Sequence, residues 1–407
     1  MKILHIPCAY YPVRGGTELR VQRISETLAS WGHEVTVLTS NVTAISDYYG
    51  LDGKCLDAGV SEINKIRVIR VAIYGPFFKL VNFIFRHIRC RRIKDKLVNM
   101  VKYAYEARYI KKTKNYIKAL APDIVMATPH YIPNVKAAVY ASKVVGFPFV
   151  MVPCLHEDDK CWPKDAVVAA LKSADFVLAM TAYEFKRLYD GYFVEKNRML
   201  IAGMGVDFPV LADVEINRKE QRVLFLGRQN EKKGIPLLIA AMQQVWIKYP
   251  SAKLVLAGKR EVETEAIEEI LLALPHEQRS KIESRYDITD AEKDRLLSCS
   301  TCLVLPSRIE SFGGVILEAW ANALPVVTLD LPLYRSFITP EEEGILVPPN
   351  NPEALSEAIC KLFANPEFGA LLGSAGYKKA KEMFTWEKVS ANYLEGYKRA
   401  IALHQNK

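Results

Sequence analysis

Short apolar runs alternate along the chain with segments in which apolar residues recur every three or four positions. Lys2–Pro7 is such a run, and Val21, Ile24 and Leu28 follow it at helical spacing. Further strands of the first half are predicted at Glu34–Thr39, Ile124–Ala127, Phe149–Val152 and Phe176–Ala179. Helices are predicted at Asn134–Val145, Ala166–Lys172 and Ala182–Tyr189. This alternation predicts a parallel, doubly wound sheet.

The same alternation begins again after residue 209. The strands predicted in this half are Gln221–Gly227, Lys253–Gly258, Cys302–Pro306, Pro325–Leu329 and Gly344–Val347. The predicted helices are Ile235–Tyr249, Glu263–Leu274, Asp290–Ser298, Gly314–Asn322, two that begin at Pro352 and Pro366, and Trp386–Leu403. Thr289 and Glu292 have the spacing of a helix capping box.

The fold class expected from this repeated pattern is α/β, with two Rossmann-like domains that face each other across a cleft. Residues 1–203 would form the N-terminal domain and residues 204–385 the C-terminal domain, with a hinge near residues 203–212. Residues 386–407 would form a helix that returns to the N-terminal domain. Ligands of open α/β sheets bind at the carboxyl ends of the strands, so the loops that follow the strands are the candidate sites.

The composition is that of a globular protein and excludes a wholly disordered or collagen-like chain. The 407 residues are 50% hydrophobic and 25% charged, a length that suggests two or three domains. No apolar run approaches the roughly 20 residues that span a bilayer, and residues 1–7 lack the apolar stretch of a secretory signal. The eight cysteines are scattered, and Cys299 and Cys302 have no second pair to complete a zinc site. We therefore expect a cytoplasmic chain with reduced cysteines.

Positive charge is concentrated in one segment, the basic insert at about residues 75–118. Residues 79–118 contain thirteen Lys and Arg residues but only two acidic ones. An aromatic and aliphatic stretch at residues 77–85 precedes the cationic cluster. Apolar groups beside Lys and Arg are typical of contact with an anionic membrane surface, which we expect for residues 77–118. A solvated helix packed on its own domain and a nucleic-acid surface are the alternatives.

The strongest candidate site is the segment from Pro306 to Ala319. A strand ends there, a loop contains two glycines, and a helix begins. Free backbone amides at a helix start bind anionic or hydroxyl-rich ligands. Glu310 in the loop and Glu318 in the helix, with seven residues between them, could hold several hydroxyls of one ligand. The alternative is a helix-dipole charge at Glu310 and an ordinary surface charge at Glu318.

A second strand-to-helix loop carries cations. Residues 227–234 follow a predicted strand and contain Arg228 and Lys233. A bidentate Arg and a point-charge Lys suit a phosphate group, and a solvated charged turn is the alternative. The loop at residues 11–18 is also glycine-rich, but it matches neither the P-loop nor the dinucleotide-binding pattern G-x-G-x-x-G.

His156 follows the predicted strand at Phe149–Val152 and begins a short acidic run. A neutral imidazole at this position could donate a hydrogen bond or accept a proton. The carboxylates that follow at residues 157–159 could bind a metal, but no second His accompanies them and the chain contains no Asp-x-Asp triplet. We therefore expect no metal and interpret these carboxylates as solvated charges. The chain also lacks G-x-S-x-G, the nucleophile motif of serine hydrolases.

Together these segments resemble a family 4, GT-B-type retaining glycosyltransferase over nearly the whole chain. Glu310 and Glu318 are similar to the E-x7-E signature of that family. Weaker similarities are Gly15-Gly16-Thr17-Glu18, Arg228 with Lys233, Gly205-Val206-Asp207, Gly344-Ile345-Leu346-Val347-Pro348 and Phe384-Thr385-Trp386. The chain departs from the family at the hinge, where Met204-Gly205 replaces a common Asn-Gly. Residues 330–336 lack the glycines and Glu frequent in relatives, so no site residue is assigned there.

The resemblance implies a role for each residue of the two C-terminal loops. Arg228 and Lys233 would hold the diphosphate of a nucleotide-sugar donor and offset the charge of the leaving nucleotide. Glu318 would bind the ribose hydroxyls, and Glu310 would contact the transferred sugar. The backbone amides that would assist Glu310 belong to Phe312, Gly313 and Gly314.

The resemblance also implies roles for two residues of the N-terminal half. Gly16 would let its loop approach the donor phosphate and the acceptor, and His156 would be the active-site histidine near the sugar. With Glu310, Arg228 and Lys233, His156 completes the implied catalytic set. No metal and no cofactor are expected, because protein cations and helix dipoles would stabilise the departing diphosphate.

The implied activity is transfer of a hexose, with retention, from a nucleotide-diphosphate-sugar to a glycan or lipid-linked acceptor. UDP is favoured over GDP by its frequency in the family. The expected setting is polysaccharide, lipopolysaccharide or glycolipid synthesis at the inner face of the plasma membrane, with no nucleic-acid partner. A sugar-nucleotide 2-epimerase on the same fold and a non-catalytic sugar-nucleotide-binding protein are the alternatives.

Overall fold

The computed structural model describes residues 1–13, 15–43, 55–72, 91–129, 133–155, 164–209, 220–260 and 264–407. These residues form two α/β lobes, each built on one sheet that is largely parallel. We call them the N-terminal lobe and the C-terminal lobe. The expected α/β fold with two Rossmann-like halves is confirmed.

The sheet of the N-terminal lobe is covered by helices on both faces. Its strands are β1 Lys2–Ile6, β2 Glu34–Ser40, β3 Gly59–Ile63, β4 Ile66–Val71, β5 Ile124–Ala127, β6 Phe149–Met151, β7 Phe176–Ala179 and β8 Met199–Ile201. Within the described residues their order is β3-β4-β2-β1-β5-β6-β7-β8. Every neighbouring pair is parallel except β3 and β4, which form an antiparallel hairpin. The central strands are buried because both faces are covered.

The helices of this lobe bury the apolar positions that the sequence pattern indicates. They are α1 Gly16–Ser30, α2 Arg91–Leu120, α3 Pro133–Val145, α4 Lys164–Ser173 and α5 Ala182–Tyr192. Helix α1 buries Val21, Ile24 and Leu28 in the core on one face of the sheet. Helices α2 and α3 contribute to the core on the other face, where Tyr109 and Ile117 of α2 are buried.

The C-terminal lobe repeats the arrangement on a smaller sheet. Its strands are β9 Arg222–Leu226, β10 Lys253–Gly258, β11 Ile282–Tyr286, β12 Cys302–Leu305, β13 Val326–Leu329 and β14 Ile345–Val347. They are parallel and lie in the order β11-β10-β9-β12-β13-β14. Its helices are α6 Ile235–Lys248, α7 Thr264–Ala273, α8 His276–Arg279, α9 Asp290–Cys299, α10 Gly314–Ala321, α11 Pro332–Arg335, α12 Pro352–Ala364 and α13 Pro366–Met383. The predicted capping box of α9 is confirmed, with Thr289 and Glu292 each bonding the backbone N–H of the other.

Helix α14, Trp386–Gln405, leaves the C-terminal lobe and packs against α1 and the sheet of the N-terminal lobe. Tyr397 Oη lies 2.8 Å from His5 Nε2, and His5 Nδ1 lies 2.7 Å from Ser25 Oγ. All three side chains are buried. Burial lowers the pKa of His5 to about 3, so its imidazole is neutral and serves as a fixed hydrogen-bonding group between β1, α1 and α14.

The sequence pattern did not predict strands β3, β4, β8 and β11. Strand β3 is an edge strand whose side chains are mostly exposed, so it carries no apolar run. Arg67 and Arg70 interrupt β4, and β8 is only three residues long. The turn between β3 and β4 has positive φ angles at Asn64 and Lys65, as a two-residue hairpin loop requires.

The basic insert is described only from Arg91 onward, where it forms helix α2. The aromatic stretch at residues 77–85 lies outside the described residues. In the described ranges, no helix has the combination of length and apolar character needed to cross a bilayer.

Candidate active site

Two loops of the C-terminal lobe pack against each other at the carboxyl ends of β9 and β12. Gly234 ends the first loop in the left-handed region, with φ of 78°, and a Cβ there would lie 2.1 Å from the carbonyl oxygen of Pro306. Only glycine satisfies both conditions. The close backbone contact therefore fixes the cationic loop beside the loop that carries Glu310.

Lys233 and Glu310 form an ion pair at this junction. Lys233 Nζ lies 2.6 Å from Glu310 Oε1 and 3.4 Å from the carbonyl oxygen of Ile309. The side chains are only 10% and 16% exposed, so water screens the pair weakly. The structure thus joins two residues that the sequence singled out separately, and it holds both charges at the mouth of the β9 and β12 loops.

Helix α10 begins beside this pair, and its N-cap residue is a glycine. Gly313 is the N-cap, with φ of 87°, so the capping residue has no side chain that could bond the first amides of the helix. Phe312 is buried and stacks on Phe337 with a centroid distance of 4.9 Å, which anchors the loop. The amide dipoles of α10 therefore point toward the region of Glu310, as an anion-binding helix start requires.

Glu318 lies in α10 and pairs with a lysine of α9. Lys293 Nζ is 2.8 Å from Glu318 Oε1 and 3.7 Å from Asp290 Oδ1. Burial raises the pKa of Glu318, whereas Lys293 lowers it and Asp294 raises it further. Lys293 could not be singled out from the sequence, because a single charged residue in an amphipathic helix has no local signal.

The N-terminal lobe reaches the same region through Gly16 and the hinge. Met204 Cε would lie 3.9 Å from a Cβ at Gly16 and 2.8 Å from a Cβ at Gly314. Gly16 begins α1 and Gly314 begins α10, so one hinge side chain lies between the helix starts of the two lobes. Met204 itself is 9% exposed. The lobes therefore present two glycine-rich helix starts to a common space.

Arg228 is exposed and lies near a carboxylate of the N-terminal lobe. That carboxylate belongs to Glu18 of α1, which is buried and folds back toward Gly15. Burial raises the pKa of Glu18, while Arg20, Lys259 and Arg228 lower it. The cationic loop of one lobe thus faces the first turn of α1 in the other.

His156 lies outside the described residues, but the residues before it are firmly held. The backbone N–H of Leu155 donates to Glu184 Oε1 at 2.6 Å. Arg20, which is fully buried, donates to Cys154 Sγ at 3.2 Å and to Thr128 Oγ1 at 2.8 Å. Sequence reasoning missed Arg20 and Glu184, since both are charged residues within helices that otherwise bury apolar ones.

Of the predicted site residues, the structure brings Lys233 and Glu310 into direct contact at the start of α10. Gly16 lies near the same helix start, with the side chain of Met204 between them. Arg228 lies near Glu18 of the N-terminal lobe. Across the described part of the chain, no three His, Cys, Asp or Glu side chains cluster in a way that could hold a metal ion. The donor groups present are cations, carboxylates and helix amides, which suit a diphosphate and hydroxyls.

Residues 210–379 match the sequence family described as glycosyl transferases group 1. A relative, the alpha-maltose-1-phosphate synthase of Mycolicibacterium smegmatis, is 30% identical over 207 residues, covering 49% of this chain and 53% of that protein. The chain spans about half the length of this and similar curated relatives. The match includes both loops of the candidate site, Arg228–Lys233 and Glu310–Glu318.

Two solved structures share the fold over nearly the full chain. Sucrose-phosphate synthase from Thermosynechococcus elongatus has a TM-score of 0.78 at 20% identity, covering 99% of this chain and 100% of that one. Anabaena HepE in complex with UDP and glucose has a TM-score of 0.69 at 17% identity, covering 97% and 98%. Residues 210–379 thus match a glycosyltransferase family, and the chain as a whole has the GT-B fold of two Rossmann-like lobes.

Proposed function

We propose that this protein transfers a hexose, with retention of anomeric configuration, from a nucleotide-diphosphate-sugar to a glycan or lipid-linked acceptor. The observation that carries the proposal is the Lys233–Glu310 pair, 2.6 Å apart at the uncapped start of α10. A cation and helix amides suit a diphosphate, and a carboxylate suits sugar hydroxyls. One compact site thus offers groups for both parts of such a donor.

The donor would lie between the lobes with its diphosphate on the C-terminal side. Lys233 and Arg228 would bind the phosphates, and Glu318 would accept hydrogen bonds from the ribose hydroxyls. Glu310 would turn from Lys233 toward the transferred sugar once the phosphates neutralise that lysine. UDP is the favoured nucleotide, a choice supported by the UDP bound in the structural relative HepE.

The transfer step would break the bond between the anomeric carbon and the diphosphate oxygen and form a bond from the acceptor hydroxyl on the same face. The hydroxyl proton would leave on the departing phosphate oxygen. Lys233, Arg228 and the α10 amides would stabilise the charge that develops there, so no metal would be needed. Closure of the lobes would exclude water and limit hydrolysis. His156 would act near the sugar.

The direct test is turnover of a panel of UDP- and GDP-sugars, with glycan, phosphorylated-sugar and lipid-linked acceptors and with a chelator present. The variants Glu310→Gln and Lys233→Ala should each lose about 100-fold in kcat/KM, because each removes a group that stabilises the transition state. Lys361→Ala, which breaks an ion pair with Glu341 elsewhere in the lobe, is the matched control. The anomeric configuration of the product would be determined by nuclear magnetic resonance.

Other outcomes distinguish the alternatives. Unchanged transfer by Glu310→Gln and Lys233→Ala would show that the site is assigned wrongly. Conversion of UDP-N-acetylglucosamine without an acceptor would identify a 2-epimerase. Binding of nucleotide-sugars without turnover on the whole panel would identify a binding protein.

We also propose that the N-terminal lobe contacts an anionic membrane, on the cytoplasmic face, through the outer side of α2. Arg108, Lys111 and Lys118 are exposed along this helix, and the apolar side chains of Met100 and Tyr116 are 61% and 40% exposed. Cations beside exposed apolar groups favour the interface of anionic lipids. Such contact would bring the enzyme to a lipid-linked acceptor.

Liposome flotation tests this contact. Arg108, Lys111 and Lys118 changed together to Glu should reduce recovery with anionic vesicles by at least about tenfold, since each cation near such a surface contributes about 1 kcal/mol. Recovery with neutral vesicles should be low for both proteins.

The matched control reverses three exposed lysines of the C-terminal lobe, Lys248, Lys253 and Lys378. This variant has the same net charge as the α2 variant, so it should float like the wild type if the α2 face is specific. Equal loss in both variants, or equal recovery with neutral and anionic lipid, would contradict the contact.

A further inference from the structure

The pair between Lys293 and Glu318 joins two helices at the part of the cleft assigned to the nucleotide. Lys293 lies in α9 and Glu318 in α10, with Nζ and Oε1 2.8 Å apart. The two side chains are 23% and 22% exposed, so the pair is largely shielded from water but a ligand can still reach it. Neither the sequence motifs nor the transfer step described above gives Lys293 a role.

A shielded carboxylate is ionised only if a neighbour compensates for its lost hydration. Burial raises the pKa of Glu318, and Asp294 and Asp290 on α9 raise it further, whereas Lys293 lowers it. Lys293 is therefore the cation that counters three effects favouring a protonated Glu318. Lys293 contacts Oε1 of Glu318, so we expect Oε2 to be the oxygen that meets a ligand.

The ionised form matters because hydrogen bonds from hydroxyls to a carboxylate are roughly twice as strong as those to a neutral group. A protonated Glu318 would lose this gain and would also present one oxygen as a donor. Lys293 also restricts the rotation of the carboxylate by holding Oε1 toward α9. The lysine therefore controls both the charge and the direction of the group that would meet a ribose.

We propose that Lys293 is a positioning residue that keeps Glu318 charged and turned toward the ribose hydroxyls of the nucleotide donor. The proposal rests on the proposed function, because it needs a nucleotide in the cleft. It goes beyond it by assigning a second residue, on another helix, to recognition of the ribose.

The test measures binding of UDP and of 2′,3′-dideoxy-UDP by calorimetry between pH 6 and pH 9. The ratio of the two affinities reports contacts to the ribose hydroxyls alone. In the wild type this ratio should favour UDP at every pH. In Lys293→Met it should fall about tenfold at pH 6, the equivalent of one charge-assisted hydrogen bond, and it should rise again with increasing pH because Glu318 then ionises.

Three further variants make the result specific. Lys293→Arg retains the charge and should keep the wild-type ratio. Lys293→Gln removes the charge but keeps a hydrogen-bond donor. It should show the same fall in the affinity ratio at pH 6, and it replaces Lys293→Met in the test if Lys293→Met does not fold. Lys361→Met loses the lysine of the ion pair with Glu341 and should not change the ratio.

The possible failures are distinguishable. A wild-type ratio for the neutral variants at pH 6, or an equal loss of affinity for both nucleotides at every pH, would show that Lys293 is only structural. A wild type that binds neither UDP nor GDP would overturn the proposed function, and the role of Lys293 with it.

Discussion

Lys233 and Glu310 form their ion pair because the residue that follows Lys233 is a glycine, Gly234. Gly234 takes a φ of 78° and places its backbone against the carbonyl of Pro306. The sequence identified Lys233 and Glu310 as separate candidates, since each lies in a strand-to-helix loop. Their pairing could not be predicted, because it depends on which strands are neighbours and on how far each loop extends.

Gly234→Ala should destabilise the protein and weaken donor binding. The left-handed backbone conformation alone costs roughly 1–2 kcal/mol for alanine, and the contact with Pro306 adds a comparable amount, so we expect about 3 kcal/mol in total. Displacement of the loop should also separate Lys233 from Glu310 and raise the donor KM. Urea unfolding and steady-state kinetics measure the two effects.

Gly32→Ala is the matched control for this prediction. Gly32 also has a positive φ, of 85°, but nothing lies within 4 Å of the position that a Cβ would occupy. Its loss of stability should be only about 1 kcal/mol, with an unchanged donor KM. Equal effects of the two substitutions would show that the contact with Pro306 does not hold the site together.

Most of the buried parallel strands and amphipathic helices were predictable from sequence to within a few residues. Strand β12 is predicted at Cys302–Pro306 and found at Cys302–Leu305, and helix α10 begins at Gly314 as predicted. Three of the four missed strands, β3, β8 and β11, lie at sheet edges, whereas β4 lies inside its sheet and is interrupted by Arg67 and Arg70. An edge strand is only partly covered, so its sequence need not be continuously apolar.

The whole molecule is held together by contacts between residues far apart in sequence. Arg23 of α1 donates a hydrogen bond to Asp207 of the hinge at 2.9 Å, and α14 packs on the N-terminal lobe, where Tyr397 lies 2.8 Å from His5. From the sequence we expect two domains and a last helix that returns to the N-terminal one, but the individual side-chain contacts could not be predicted, because periodicity describes each element alone. The position of Met204 between the starts of α1 and α10 could not be predicted from periodicity either, because it depends on the relative position of the lobes.

The proposed function requires a nucleotide-sugar between the lobes, with its diphosphate held by the C-terminal lobe. A crystal structure with a non-hydrolysable UDP-sugar analogue tests this most directly. We predict phosphate oxygens within hydrogen-bond distance of Lys233 Nζ at the start of α10, and ribose hydroxyls on the Glu318 carboxylate. An analogue bound elsewhere, with the Lys233–Glu310 pair intact and the cleft vacant, would contradict the account.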